Sequence, residues 1–443
     1  MKYQHNKSYK TVNSGPAYYL KHENGASIRT DRFINMVWQK ANGHTAQEIK
    51  NGIGDRIHIS DWILDVSLKL MVAADLLSSD EKEPSQSLPT PPTEGPVVSV
   101  VIVNKDGERH LETLLPSLKA QDYKQIEKIL VDNGSKDNSV AFFKSHFPGG
   151  KVVELSKNIG FAGGNNLGIE QATGKYIFLL NNDTRIADDC VSQLVATAGE
   201  KSELAAIVPK MFQWQLPKFL NAIGNSVQAR GWGGDNYIGY LDIGQFDQIE
   251  EVFSACFGAV MISRDALDAV GLLDPKYLFY YEDSDWSYRA RQLGLKIYFA
   301  PRAVVYHKFN ASMKKLKATF KWKLVISNRL RFALKNLSWG TWLNFMRNYV
   351  KEDIFGFLRS IKHREFGMAL TYVRAWVRFL VSVPGIMVAR RKIQKQRLVK
   401  DAQLFKLWPE LPPLMDSGGS PIFDLATIRR IYLHFLPGTK RFR

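Results

Sequence analysis

Apolar positions along this chain change their period twice, and each change marks a different kind of element. Near the N-terminus the spacing is helical: Phe33, Ile34, Val37 and Trp38 share one side of a helix that Gly43 ends. Thr45 is placed to cap "AQEIKNGI", and Ser60 or Asp61 to cap "SDWILDVSLKLMVAADLL". Two extended stretches, "AYYLKHE" and "ASIRT", precede these helices. From Val97 the apolar runs shorten to "VVSVVIVN", "KILVDN", "KVVEL" and "KYIFLLNND". They are β-branched and nearly continuous, as strands covered on both faces require. "HLETLLPSLKAQ", "SVAFFKSHF" and "NNLGIEQAT" fall between them as crossover helices. That order predicts an α/β fold with a mainly parallel sheet and ligands beyond the carboxyl ends of its strands. After His307 helical spacing returns, with Trp, Phe, Leu and Ile set among Lys and Arg.

Ser78 to Pro96, "SSDEKEPSQSLPTPPTEGP", has nothing to bury and reads as a linker. The expected division is a small module at 1–77, the linker at 78–96, the α/β domain at 97–310 and a helical region at 311–443. Charge changes this picture at one place. The chain carries +17, yet Lys308 to Arg443 holds 28 Lys and Arg against 7 Asp and Glu, which leaves −4 before it. A basic surface so rich in apolar residues suits amphipathic helices on an anionic membrane better than a solvated nucleic-acid face. The longest uncharged stretch there, Phe379 to Ala389, has 11 residues and is too short to span a bilayer. Two cysteines, Cys190 and Cys256, make no disulfide framework, and the first twenty residues lack the apolar core of a signal peptide. The expected location is cytoplasmic, peripheral at the inner face of the cell membrane.

The candidate chemistry collects where strands end. The first strand runs into Asn104-Lys105-Asp106-Gly107, the second into Asp132-Asn133-Gly134-Ser135 and the fourth into Asn181-Asn182-Asp183. "KNIGFAGGNNLGI" follows the third, and its glycines suit close approach of a ligand. Their spacing is neither G-x-G-x-x-G nor a P-loop, which disfavours a dinucleotide or ATP site. Any one polar cluster is explained by a turn. Four on one edge point to a binding site. Further on, Glu282, Asp283 and Asp285 follow "YLFYY", and an acid against an apolar wall could act as a base. His307 ends the strand-like "KIYFAPRAVVYH".

"VVIVNKDG", "ILVDNGSKDNS", "NIGFAGGNNLGI", "FLLNNDT", "FGAVMISRDAL" and "FYYEDSDWSYRARQLG" together resemble the family 2 glycosyltransferases of GT-A fold, most closely the rhamnosyltransferase-like group. The resemblance implies a mixed, mainly parallel Rossmann-like sheet and a nucleotide-diphosphate sugar as donor. Under it, Asp132 contacts the base or ribose, with Asn104, Asn133, Ser135, Asn158, Gly160, Gly164, Asn165 and Asn182 around the donor. Asn181-Asn182-Asp183 takes the place of the family's D-x-D, so Asp183 binds a divalent cation, Mg²⁺ or Mn²⁺, with His307 assisting. Asp283, beside Glu282, matches the catalytic base. The first Asp of D-x-D is here Asn181, which leaves one anionic ligand in place of two.

The chemistry has its own logic. A sugar diphosphate leaves readily once its developing charge is neutralised, and the attacking hydroxyl needs a carboxylate within reach. One-step attack opposite the leaving group inverts the anomeric centre. The absence of a Q-x-x-R-W motif and of a channel-forming segment disfavours a processive synthase, and a lipid-linked or cell-surface glycan is the expected acceptor. Two alternatives stay open: a nucleotide-sugar-binding scaffold of weak turnover, suggested by Asn181, and a transferase acting on a peptide. The latter arises because residues 14–77, through "VWQKANGHTAQEI", resemble the PqqD-like winged-helix domain, which binds peptide segments.

Overall fold

The structure is a computed structural model; it describes residues 1–14, 17–53, 61–80, 90–199, 201–227, 233–308, 317–409, 413–416 and 420–435. Ser60, the centre of the linker and the expected boundary at 310 lie outside the described residues.

The N-terminal module holds β1 (Tyr3–His5), β2 (Tyr9–Ser14), β3 (Ala17–His22), β4 (Ser27–Thr30), α1 (Arg32–Ala41), α2 (Ala46–Ile53), α3 (Asp61–Ala73) and β5 (Leu77–Ser79). The three helices and both extended stretches stand where periodicity placed them. Asp31 caps α1 by accepting from the Ile34 amide. Thr45 and Glu48 close a reciprocal box at α2, each side chain accepting from the other's amide. The short strands β1, β2 and β5 carry too few apolar positions to announce themselves. β2, β3 and β4 form an antiparallel sheet, and β1 pairs with β5.

The α/β domain runs through β6 (Val98–Asn104), α4 (Glu108–Lys119), β7 (Ile126–Asp132), α5 (Ser139–His146), β8 (Lys151–Glu154), α6 (Gly160–Gln171), β9 (Tyr176–Leu180), β10 (Thr184–Ile186), α7 (Cys190–Ala198) and β11 (Leu204–Gln213). It continues through β12 (Leu220–Ala222), β13 (Asn225–Val227), β14 (Gly233–Asp235), β15 (Ala259–Ser263), α8 (Arg264–Val270), α9 (Glu282–Gln292) and β16 (Lys296–His307). Its sheet has the order β10-β16-β11-β15-β9-β6-β7-β8, with β12 on β11. β9, β6, β7 and β8 are mutually parallel, so their polar ends do share one edge. β15 runs antiparallel between β9 and β11, which makes the sheet mixed. Apolar side chains cover both faces, as the unbroken runs in β6 and β9 require.

Beyond it come α10 (Ala318–Asn336), α11 (Trp339–Lys362), α12 (Phe366–Lys395), α13 (Asp401–Leu404) and α14 (Leu425–Phe435). α10 packs along α12, and its inner side meets Tyr277, Tyr281 and Tyr288 of the α/β domain. α12 corrects the sequence reading. It is 30 residues long and, by length and composition, apolar enough to cross a membrane. The count of uncharged residues understated it because Arg374 and Arg378 interrupt an otherwise apolar run. Only 17% of its most apolar window is buried, so α12 is not a covered core helix. α14 returns to the N-terminal module, where Phe423 O accepts from the Arg29 amide at 2.7 Å beside β4 and Arg429 pairs with Asp31.

Candidate active site

At the end of β6, Asn104 is fully buried and serves the scaffold. Its Oδ1 accepts from Asn182 Nδ2 at 2.7 Å, and its Nδ2 donates to Ser135 Oγ at 3.3 Å. Gly107 is obligatory here, because a Cβ would collide with both amides. One step along the edge, Asp132 Oδ2 accepts from the Ser135 amide at 2.9 Å. Its Oδ1 is buried without a protein partner, an unmet need that suits a ligand hydroxyl or amide. Asn133 braces the start of α6: its Oδ1 accepts from the Ile159 amide and its Nδ2 donates to Gly160 O.

The glycine-rich stretch forms helix where a loop would also fit the sequence. Gly160 begins α6 at φ +87°, a conformation that glycine alone adopts cheaply, with Asn158 Oδ1 accepting from its amide at 2.8 Å. A Cβ there would stand 2.6 Å from Leu278 Cδ1, so this glycine lets α6 touch the turn that precedes the acids. Gly164 lets α6 lie against Val103 of β6. Asn165 donates to Phe161 O within the helix. Among the expected donor residues, the amides of Asn104, Asn133, Asn165 and Asn182 thus hold the pocket's frame, while Asp132 keeps a free oxygen.

The Asn181-Asn182-Asp183 segment is both a turn and a site. It links β9 to β10, and β10 pairs antiparallel with β16 so that Thr184 stands opposite His307. This register sets Asp183 Oδ1 3.3 Å from His307 Nε2, with both side chains buried. His307 Nδ1 donates to Asn221 Oδ1 at 2.6 Å, which fixes the ring and leaves Nε2 directed at Asp183. Burial pushes Asp183 up, but His307 beside it wins and holds the carboxyl below its usual range. Burial lowers His307, and Asp183 with Asp235 outweighs that and raises it. The pair sets one carboxylate against one oriented imidazole, with His110 also acting electrostatically on Asp183. Among the described residues no third His, Cys, Asp or Glu joins the pair.

The acids after "YLFYY" separate by angle. Residues two apart on a helix lie about 200° apart around its axis, so Asp283 and Asp285 face opposite ways. Asp285 is buried completely and structural: Tyr277 Oη, Arg289 Nε, Lys335 Nζ and Asn336 Nδ2 all donate to it at 2.8–3.0 Å. Asp283 faces the site. Its Oδ2 accepts from Asn225 Nδ2 at 2.6 Å and its Oδ1 from the Ser284 amide at 2.6 Å. Burial raises the Asp283 carboxyl, and burial with Asp283 raises Glu282, whose Oε2 has no protein partner. Leu278, Tyr280 and Tyr281 reach these acids through positive φ values of 54°, 67° and 73°. Asn328 Nδ2 pins that strained turn by donating to Tyr277 O, Phe279 O and Tyr280 O.

Sequence reasoning missed three residues here. Asn225 of β13 stands opposite Asp235 of β14. Asp235, which accepts from Cys256, is pushed up to about 6 by burial, and it lies within electrostatic reach of both His307 and Asp283. Asn221 orients His307. The hairpin therefore joins the Asp183–His307 pair to Asp283. No periodic pattern marks it.

Residues 99–271 match the family described as "Glycosyl transferase family 2", a span that ends short of Asp283 and His307. An "Uncharacterized glycosyltransferase" of Haemophilus influenzae is 35% identical over 97 residues, 21% of this chain and 39% of that protein. The "Low-salt glycan biosynthesis hexosyltransferase Agl10" of Haloferax volcanii is 24% identical over 45% of this chain and 63% of its own length. The "N-acetylglucosaminyl-diphospho-decaprenol L-rhamnosyltransferase" of Mycobacterium tuberculosis is 21% identical, over 49% of this chain and 78% of its own. In three dimensions, a mannosyltransferase from Pyrobaculum calidifontis solved with GDP-Man and Mn²⁺ superposes with a TM-score of 0.41 at 13% identity, over 72% of this chain and 93% of that one. From Ser99 to Gly271 the chain is thus similar to glycosyl transferase family 2, on a mixed α/β sheet.

Proposed function

We propose that this chain is an inverting, non-processive glycosyltransferase that moves a sugar from a nucleotide-diphosphate donor to a hydroxyl of a lipid-linked or cell-surface glycan. The observation that carries the reading is the hairpin-linked pair of acids: Asp183 against His307, and Asp283 held by Asn225. Asp132 offers its unpaired oxygen to the nucleoside, and α6 walls the donor side. Asp183 and His307 hold a divalent cation, Mg²⁺ or Mn²⁺, which when bound supplies positive charge at the donor diphosphate. Asp283 accepts the proton of the acceptor hydroxyl, and the raised affinity of its carboxyl for protons suits a base near neutral pH. A rhamnosyl or other hexosyl group fits the relatives named above.

The acceptor side of this reading rests on α11 and α12. Leu343, Ile354, Phe355 and Leu358 of α11, with Phe366, Leu370, Val373, Val377, Val381 and Val388 of α12, are exposed. On α12 those from Phe366 to Val381 recur every three or four residues and form one apolar stripe, with Val388 seven residues further on. Arg347, Lys351, Arg359, Lys362 and Arg374 stand exposed among them, while Asp353 is turned inward to Arg329 and Trp376. An anionic bilayer, at the cytoplasmic face of the membrane, complements this mixture. α12 lies in the interface: Arg390 donates to Leu334 O and Leu337 O at the end of α10, and Arg378 to Ser327, which ties α12 alongside the body of the protein.

The test is release of nucleoside diphosphate from a panel of nucleotide sugars, with and without Mn²⁺. Metal-stimulated release from at least one donor is expected. Binding of a donor without any release would contradict transfer and leave a scaffold.

A further inference from the structure

A cleft of about 120 Å³ opens between α10, α12 and the turn at Pro275–Tyr277. Lys276, Arg331 and Arg378 line it, with the hydroxyls of Ser327 and Ser382. Among the described residues, no carboxylate lies within ion-pair distance of Lys276 or Arg378. Asp274 pairs with Arg331 and with Lys335, which Asp285 also holds. Burial, and then the neighbouring Arg331, lower Arg378. Its guanidinium donates to Ser327 Oγ at 3.0 Å and to Lys276 O at 3.2 Å, which fixes the fork at the cleft.

A cleft of this size lined by three cations has the chemistry of a phosphate site, since a guanidinium fork matches two oxygens of a tetrahedral anion; the hydroxyls of Ser327 and Ser382 donate to Lys323 O and Phe379 O of their own helices. Its position adds a second clue. Val377, Leu380 and Val381, exposed on α12, flank Arg378 and Ser382, so an apolar chain leaving the cleft would meet the apolar stripe at once. We infer that this cleft binds a phosphate group, presented by a lipid head or as the free ion. Its lipid source rests on the membrane reading above; phosphate binding itself does not. The site also borders the catalytic turn, because Asn328 lines the cleft and holds the carbonyls of Tyr277, Phe279 and Tyr280 that lead to Asp283.

The experiment uses the full chain with two probes. Inorganic phosphate is titrated while thermal unfolding is followed, and vesicles of phosphatidylcholine are doped with phosphatidic acid or, at matched surface charge, phosphatidylserine. The expected result is a preference of about tenfold for phosphatidic acid, the scale of one charge-assisted hydrogen bond. Stabilisation by inorganic phosphate alone would identify the free ion as sufficient; preference confined to vesicles would identify the lipid head. Either response should vanish in Lys276→Gln with Arg378→Gln, while phosphatidylserine binding persists. Lys276→Gln alone changes an exposed side chain, keeps the fold, and should weaken the response by itself. No phosphate stabilisation and no vesicle preference in the wild type, or a preference retained in the double variant, would overturn the inference. Sugar transfer could fail without touching these outcomes, so the two readings fall separately.

Discussion

Asn225→Ala isolates the positioning of the base. In the structure Asn225 Nδ2 donates to Asp283 Oδ2 at 2.6 Å, while Asn225 Oδ1 is buried without a protein partner. A hydrogen bond to a charged group contributes about 1.5–3 kcal/mol, and one pKa unit corresponds to about 1.4 kcal/mol. Losing this donor destabilises the carboxylate relative to the acid, so the Asp283 pKa should rise by roughly 1–2 units from a value that burial already lifts. The base works only when deprotonated. The acidic limb of the kcat/KM profile should therefore move to higher pH, with a loss of about 10- to 100-fold below the limb and recovery on the alkaline plateau. Nucleoside diphosphate release measured across pH reads this directly. Asn225→Asp, which sets a second acid against Asp283, should move the limb further in the same direction. A uniform loss at every pH, or an unmoved limb, would refute the positioning role.

Other expectations concern the metal pair, the buried clasp and the membrane face. Asp183→Ala should abolish the Mn²⁺-dependent part of nucleoside-diphosphate stabilisation in a thermal-shift assay; an unaltered metal response rejects Asp183 as ligand. Asp285→Asn leaves Lys335 and Arg289 facing a neutral amide in the interior, and should cost about 3–5 kcal/mol in denaturant unfolding. Burial raises Asp285, but Lys335 and Arg289 outweigh it and hold the carboxyl low; its contribution is thus present above the unfolded pKa and lost as pH falls through the folded one, so the variant's deficit should shrink in acid. Phe355→Glu with Val377→Glu puts acids on exposed apolar positions and should weaken flotation with anionic vesicles while leaving donor hydrolysis in solution intact.

How far the sequence carried the account depends on where each signal is written. β6, β7, β8 and β9 were legible because a strand buried on both faces must be apolar at every position. Their polar ends were legible as a set because parallel strands put them on one edge. The role of each amide was not, since Asn104 and Asn182 find one another across 78 residues and only pairing shows it. The division of labour between Asp283 and Asp285 was open to helix geometry alone, but not the Lys335 and Asn336 that claim Asp285. Asn221, Asn225 and Asp235 sit in short strands between β11 and β15, where alternation is too brief to read; β13 is placed by its pairing with β14 and the Asn225–Ser254 bridge. The helical spacing after His307 corresponds to α10, α11 and α12. Counting charge-free residues missed the length of α12, because two arginines sit inside it without ending it: Arg378 turns to Ser327 and Lys276 O, and Arg374 is exposed.

The central claim is that Asp283 takes the acceptor's proton on a donor held independently at Asp132 and Asp183. Its most direct measurement pairs nucleoside diphosphate release with donor affinity in Asp283→Asn. The account predicts release lower by about 10²- to 10⁴-fold with an unchanged Kd for the donor. Turnover close to that of the wild type, at unchanged affinity, would contradict it.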